Sequence, residues 1–182
     1  MRAVVDTNVV LVANDAHEEV SPECVLACID RLEALMRHGT VVIDDAYRIL
    51  GEYQHKTTPM KNKRVGDVFV LWLLKNSANR RHVEAVPLQE QAPDRFAHFP
   101  DANLQDDIDP PDRKFLAVAA AHPHQPPVWQ ATDCKWLDWW PRLAATGVTV
   151  DFLCEAEVCR YYTRKFPDRP LPERPRKLRM TR

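Results

Sequence analysis

The sequence predicts an α/β protein built on a parallel sheet, and three features of it carry that prediction. A short β-branched run, Ala3-Val4-Val5, ends on Asp6. Similar runs then alternate with helical patterns along the chain. A later run, Val128-Trp129-Gln130-Ala131, ends on Thr132-Asp133 and repeats the ending of the first. Short, wholly apolar runs are typical of parallel strands covered on both faces, and strand-helix-strand order implies right-handed crossovers between them. Sheets of this kind bind ligands beyond the carboxyl ends of their strands. Two strands thus deliver an aspartate to one edge. Taken alone, Asp6 is equally a cap for the next helix, with Thr7 and Asn8 as polar neighbours.

The remaining elements follow from periodicity and punctuation. After the first strand comes a short helical turn, Val9 to Ala13, and a polar loop, Asn14 to Val20. Ser21-Pro22-Glu23 is a helix start, with a capping hydroxyl, a proline at the first helical position and an acid in the first turn. Val25, Leu26, Ile29, Leu32, Leu35 and Met36 recur at helical spacing as far as the stop at Gly39. Thr40 to Ile43 is a second strand ended by Asp44 and Asp45, and Ala46 to His55 is a helix carrying Glu52. A lysine-rich loop from Lys56 to Arg64 precedes an apolar helix from Gly66 to Asn76, and Val83 to Leu88 forms a third strand. Gln89 to Pro111 lacks apolar periodicity and is expected as a loop whose aspartates are solvated. Pro110-Pro111-Asp112 opens a helix from Arg113 to Ala121 with Phe115, Leu116, Val118 and Ala119 inward. The fourth strand, a short tryptophan-rich helix, a fifth strand at Val148 to Val150 and a helix from Glu155 to Lys165 complete the pattern.

Composition bounds the functional classes. The chain has 182 residues, 45% of them hydrophobic, enough for one substantial core. Its five cysteines are odd in number and include no CxxC pair, so reduced, buried thiols in a cytoplasmic protein are expected rather than a disulfide framework or a zinc site. No run approaches a membrane span, and the N-terminus does not read as a secretion signal. Charge is uneven. Nine Lys or Arg between Arg160 and Arg182 face only Asp168 and Glu173, which leaves an acidic body with a basic, proline-rich tail. Lys61, Lys63 and Arg64 in the loop, with Arg174, Arg176 and Lys177 in the tail, are candidate contacts for a phosphate backbone. His122 and His124 read as surface residues.

Four segments together resemble the acidic motifs of the PIN-domain nuclease family. They are Val5-Asp6-Thr7-Asn8-Val9, the Glu in Ile49-Leu50-Gly51-Glu52-Tyr53, Asp112-Arg113-Lys114-Phe115-Leu116-Ala117-Val118-Ala119, and Ala131-Thr132-Asp133, in family order. The resemblance covers roughly residues 1–155, and its specificity lies in the ordered set. It implies three layers, α/β/α, around a five-stranded parallel sheet, with a nuclease domain at residues 1–165 and a tail at 166–182. It also implies a metal-dependent endoribonuclease using a metal-activated water, of the kind found as toxins of toxin-antitoxin pairs and in RNA processing. Carried over, Asp6, Glu52, Asp112 and Asp133 are the catalytic residues and the ligands of Mg²⁺ or Mn²⁺, with Asn8 and Thr132 supporting them. RNA, a cognate antitoxin or inhibitor protein and a second copy of the chain are the implied partners.

The chemistry explains the need for acids. A phosphodiester is anionic and repels hydroxide, and divalent ions on oxygen ligands both acidify water and neutralise the leaving oxyanion. There is one departure. Many members place an acid two residues after the fourth aspartate, where this chain has Lys135, and a non-cleaving protein that binds RNA or a partner is the alternative this suggests. A phosphatase using Asp6 as nucleophile would want a second acid where Asn8 stands.

Overall fold

The computed structural model describes residues 1–16, 19–61 and 63–172. Strand β1 (Arg2–Val5) leads into α1 (Thr7–Ala13), α2 (Pro22–His38), β2 (Thr40–Asp44), α3 (Arg48–Lys56), α4 (Val65–Asn76) and β3 (Val83–Val86). A hairpin of β4 (Glu90–Ala92) and β5 (Arg95–Phe96) follows, then α5 (Ala102–Asp107), α6 (Pro110–Ala121), β6 (Val128–Gln130), α7 (Trp136–Ala145), β7 (Val150–Phe152) and α8 (Glu155–Lys165). The main sheet has five strands, all parallel, in the order β3-β2-β1-β6-β7. The chain therefore builds outward from β1 in one direction and returns to build outward in the other. Right-handed crossovers then put helices on opposite faces, giving three layers, α/β/α. Helices α1 to α4 pack on one another, while α6 lies against β1, β2 and β6.

Local chemistry sets the boundaries. Ser21 Oγ accepts from Cys24 N–H at 3.3 Å and Pro22 occupies the first turn of α2, whose end is closed by the Gly39 N–H on Leu35 O at 2.9 Å. The helix expected from Ala46 starts later. Tyr47 sits in the left-handed region at φ 57°, and the buried Asp44 carboxylate accepts from Arg48 and Ile49 N–H at 2.8 and 2.9 Å, so the cap is supplied from the end of β2. The third strand ends at Val86 rather than Leu88, because Pro87 has no N–H to continue the ladder.

The core fills both interlayer spaces, with Val4, Val5, Val41, Val42 and Ile43 of the central strands fully buried. Gly66 is where α4 meets α1, and a Cβ there would strike Val10 O and the Asn14 side chain. Among the described residues no helix is long and apolar enough to cross a membrane.

Several expectations are corrected. The stretch after β3 is ordered structure: Gln105 pairs with the backbone of Phe96, and Asp101 caps α5 through Asn103 and Leu104 N–H. Its aspartates keep their solvent contact as expected, Asp106 and Asp107 being 60% and 61% exposed at their side chains, and they are ion-paired as well, Asp101 and Asp107 with Arg142 and Asp106 with Arg95. Alternation there was too short for periodicity to register. His122 is buried, its Nε2 2.7 Å from Glu84 Oε2, while His124 is exposed as expected. The five cysteines are not all free, since Cys24 and Cys154 form a disulfide and Cys28, Cys134 and Cys159 are buried thiols. Cys24 and Cys154 are 130 positions apart, and their proximity follows from α8 docking beside α2, which sequence spacing cannot express.

Candidate functional site

Strand order reverses between β1 and β6, and the crevice beyond their carboxyl ends is where an open α/β sheet receives ligands. Asp6 stands at its centre. Its N–H continues the ladder to Trp129 O at 2.9 Å, after which its side chain turns to cap α1 by accepting from Asn8 N–H at 2.8 Å. The cap and the strand-end position are one geometry, because the residue that ends β1 also begins α1. Asn8 reaches across, its Oδ1 accepting from Ala131 N–H at 2.8 Å, and so ties the turn after β6 to α1. Asp133 sits in that turn, its N–H on Gln130 Oε1 and its carboxylate on Lys135 N–H, both at 3.1 Å. Thr132, half-buried, lies between Ala131 and Asp133.

The other two acids come from helices. Glu52 is carried by α3, where Thr7 Oγ1 donates to its Oε1 at 2.5 Å. Beside it Tyr53, fully buried, donates its hydroxyl to Val5 O and fixes α3 against the end of β1. Asp112 lies in the first turn of α6, where the macrodipole favours an anion.

The charges of these four act on one another. Burial raises the Asp6 carboxyl well above the usual range, and Asp112, Asp133 and Glu52 raise it further against the Asn8 N–H. Asp112 is pushed up to about 7, by burial first and then by Asp133, Asp109 and Glu52, with Lys114 opposing. Burial, with Asp6, Glu52 and Asp44 nearby, raises the Tyr53 phenol as well.

Sequence reasoning missed the cation of this site. Lys114, on α6, is buried; its Nζ is 2.5 Å from Glu52 Oε2, donates to Pro111 O and lies 4.6 Å from the Phe115 ring centroid. The available signal was a lysine directly before the apolar run Phe115 to Ala121 and one turn before the inward Val118, two residues after Asp112. Gln130, fully buried at the end of β6, was also missed, and its Nε2 has no hydrogen-bond partner.

These residues do not fit the Mg²⁺ or Mn²⁺ expected from sequence. Such ions need several oxygens converging on one point. Among the described residues, the group of ligand side chains whose donor atoms all lie within 4.8 Å of one another is instead Cys24, Cys28 and Cys154. Those are soft sulfur donors, suited to zinc-type ions rather than to magnesium or manganese. In the crevice itself the reason is visible at Glu52, whose two oxygens are already taken by Thr7 and by the Lys114 ammonium. Lys135 acts similarly at the rim, pairing its Nζ with Asp109.

Lys61, Lys63 and Arg64 are exposed in the loop before α4, with Arg64 Nη1 donating to Asn14 O at 2.7 Å. Arg174, Arg176 and Lys177 lie outside the described residues. In comparisons with known proteins, no family model, no curated protein and no solved structure matches this chain.

Proposed function

We propose that the chain is a PIN-like ribonuclease that hydrolyses RNA phosphodiester bonds in the crevice at the carboxyl ends of β1 and β6. The observation that supports this reading is that Asp112, Asp133 and Glu52, carried by the turn after β6 and by two helices, are near enough to raise the carboxyl of Asp6 at the end of β1. A fold alone carries no activity, but an ordered acidic set at a topological switch point is a specific feature.

An anionic backbone can enter only if the crevice is not strongly negative. Two features lower its charge: Asp6 and Asp112 hold protons more tightly than free carboxyls do, and Lys114 balances Glu52. In this reading Asp133 accepts a proton from the attacking water, and Asp112 returns one to the oxygen that leaves phosphorus. The Lys114 ammonium faces the charge that grows on the phosphoryl oxygens. No step is assigned to a bound cation, since Glu52 is already committed within the protein. Lys61, Lys63, Arg64 and the tail residues Arg174, Arg176 and Lys177 supply contacts along the strand.

The test is cleavage of a panel of structured and unstructured RNAs by the full-length chain. Asp112→Asn and Asp133→Asn, which remove the proton donor and acceptor, are expected to lose at least about a hundredfold in rate while keeping their circular dichroism, a loss in the usual range for a group in proton transfer, and Asp6→Asn and Glu52→Gln, which alter the charges around that pair, are expected to lose activity as well. Asp44→Asn and Asp107→Asn, outside the set, are expected to keep activity. Full cleavage by Asp6→Asn overturns the reading.

A second reading, a PIN-like protein that binds RNA or a partner without cutting, is favoured by Lys135, whose ammonium occupies Asp109 at the rim. Tight RNA binding with no cleavage by the wild-type chain would select it.

A further inference from the structure

Three cysteines meet where α2 and α8 begin. Cys24 and Cys28 stand one helical turn apart on α2 and so share a face, and Cys154 is the N-cap residue of α8. Their exposures are 3, 0 and 3%. The Cys24–Cys154 disulfide accounts for two of the sulfurs. The third, Cys28 Sγ, is 3.9 Å from Cys154 Sγ, and all three lie within 4.8 Å of one another. Tetrahedral zinc with Zn–S bonds of about 2.3 Å separates its sulfurs by about 3.8 Å, so the Cys28 to Cys154 spacing is that of an edge of the tetrahedron. Ser21 fastens the two helix starts together, accepting from Cys24 N–H at 3.3 Å and donating to the buried Glu157 of α8.

We propose that, when the Cys24–Cys154 bond is reduced, Cys24, Cys28 and Cys154 bind one Zn²⁺ as a three-thiolate centre that joins α2 to α8. Thiolates select soft or borderline ions over the hard ones expected for the crevice. A divalent ion leaves three thiolates with one net negative charge and a monovalent ion leaves two, which in a buried site beside Glu157 favours zinc. The balance is closed. A dithiol reductant supplies two electrons and two protons to open the bond and itself becomes a cyclic disulfide, and zinc entry releases the three thiol protons to solvent. Because the same sulfurs serve both, bond and ion exclude each other. In a reducing compartment zinc ties α2 to α8, and in an oxidising one the disulfide does.

The experiment uses the full-length chain, freed of metal, reduced with dithiol and then separated from it under inert gas. Cd²⁺ is titrated as an optical probe for thiolate ligation, and Zn²⁺ is added in competition. One equivalent of cadmium-thiolate absorption, displaced by one equivalent of Zn²⁺, is expected. Cys28→Ser and Cys154→Ser should bind at least about tenfold more weakly, and Cys134→Ser and Cys159→Ser as the wild type does. The oxidised wild-type chain, which needs no substitution, should bind none. A hundredfold excess of Zn²⁺ over its dissociation constant should raise the Tm of the reduced chain by about 5 to 10 °C. Absence of the one-equivalent signal, wild-type affinity in Cys28→Ser, or equal binding by the oxidised chain overturns the proposal.

Discussion

Lys114 Nζ lies 2.5 Å from Glu52 Oε2 with the lysine side chain only 7% exposed, so the acidic crevice contains a cation of its own. The pair links α6 to α3 across the mouth of the site, and Thr7 holds the other Glu52 oxygen. Removing one partner of a buried pair leaves the other charge uncompensated, here beside Asp6, Asp112 and Asp133. Lys114→Met is therefore expected to cost about 3 kcal/mol in urea denaturation at neutral pH. Adding Glu52→Gln should recover at least half of that loss, since the stranded charge is then gone. A Lys114→Met chain as stable as the wild type would show that the ammonium is not the counter-charge.

The rim pair should behave differently. Lys135 and Asp109 are 34% and 44% exposed at their side chains, and water screens most of their attraction. Lys135→Met is expected to change stability by less than about 1 kcal/mol in the same measurement. A loss as large as that of Lys114→Met would mean that the Asp109 contact holds α6 to the turn after β6.

Much of this was legible in the residues. Ser21-Pro22 and Gly39 bound α2, and the β-branched runs ending on Asp6 and Asp44 located the two central strands, because caps and strand-end acids are local chemistry. The strand order that makes β1 and β6 the switch point came from the fold and not from the residues. What periodicity could not reach was tertiary. The Lys114–Glu52 pair exists only once α3 packs against α6, and Cys24 meets Cys154 only because α8 begins beside the start of α2. The hairpin and α5 are too short to leave a periodic trace, and their order rests on Gln105 and on the Arg142 pairs.

Gly66 tests the packing behind the site. Helices α1 and α4 approach so closely there that an added methyl meets Val10 O and the Asn14 side chain, whose Oδ1 accepts from Asp67 N–H at 3.0 Å. Backbone cannot yield as a flexible side chain does, so Gly66→Ala should destabilise by about 1 to 3 kcal/mol despite the better helix propensity of alanine. An increase in Tm would mean that α4 can shift away without loss.

Asp112 makes the crevice a determinant of pH-dependent stability. Its carboxyl is raised to about 7 in the folded chain, by burial and then by Asp133, Asp109 and Glu52, whereas in the unfolded chain it titrates near the ordinary value of about 4. Between those values the folded state holds a proton that the unfolded state has released. Stability from this group is therefore fully present below about pH 4 and is lost as pH rises through about 7. Asp6, shifted in the same direction, adds to the decline. Asp112→Asn has no proton to lose and removes one of the charges that raise Asp6. Thermal melts from pH 4 to pH 8 should show the wild type losing Tm across the window and Asp112→Asn losing less. Matched at pH 4, the variant should melt higher than the wild type at pH 8. Parallel Tm profiles for the two chains would place Asp112 outside the coupled set.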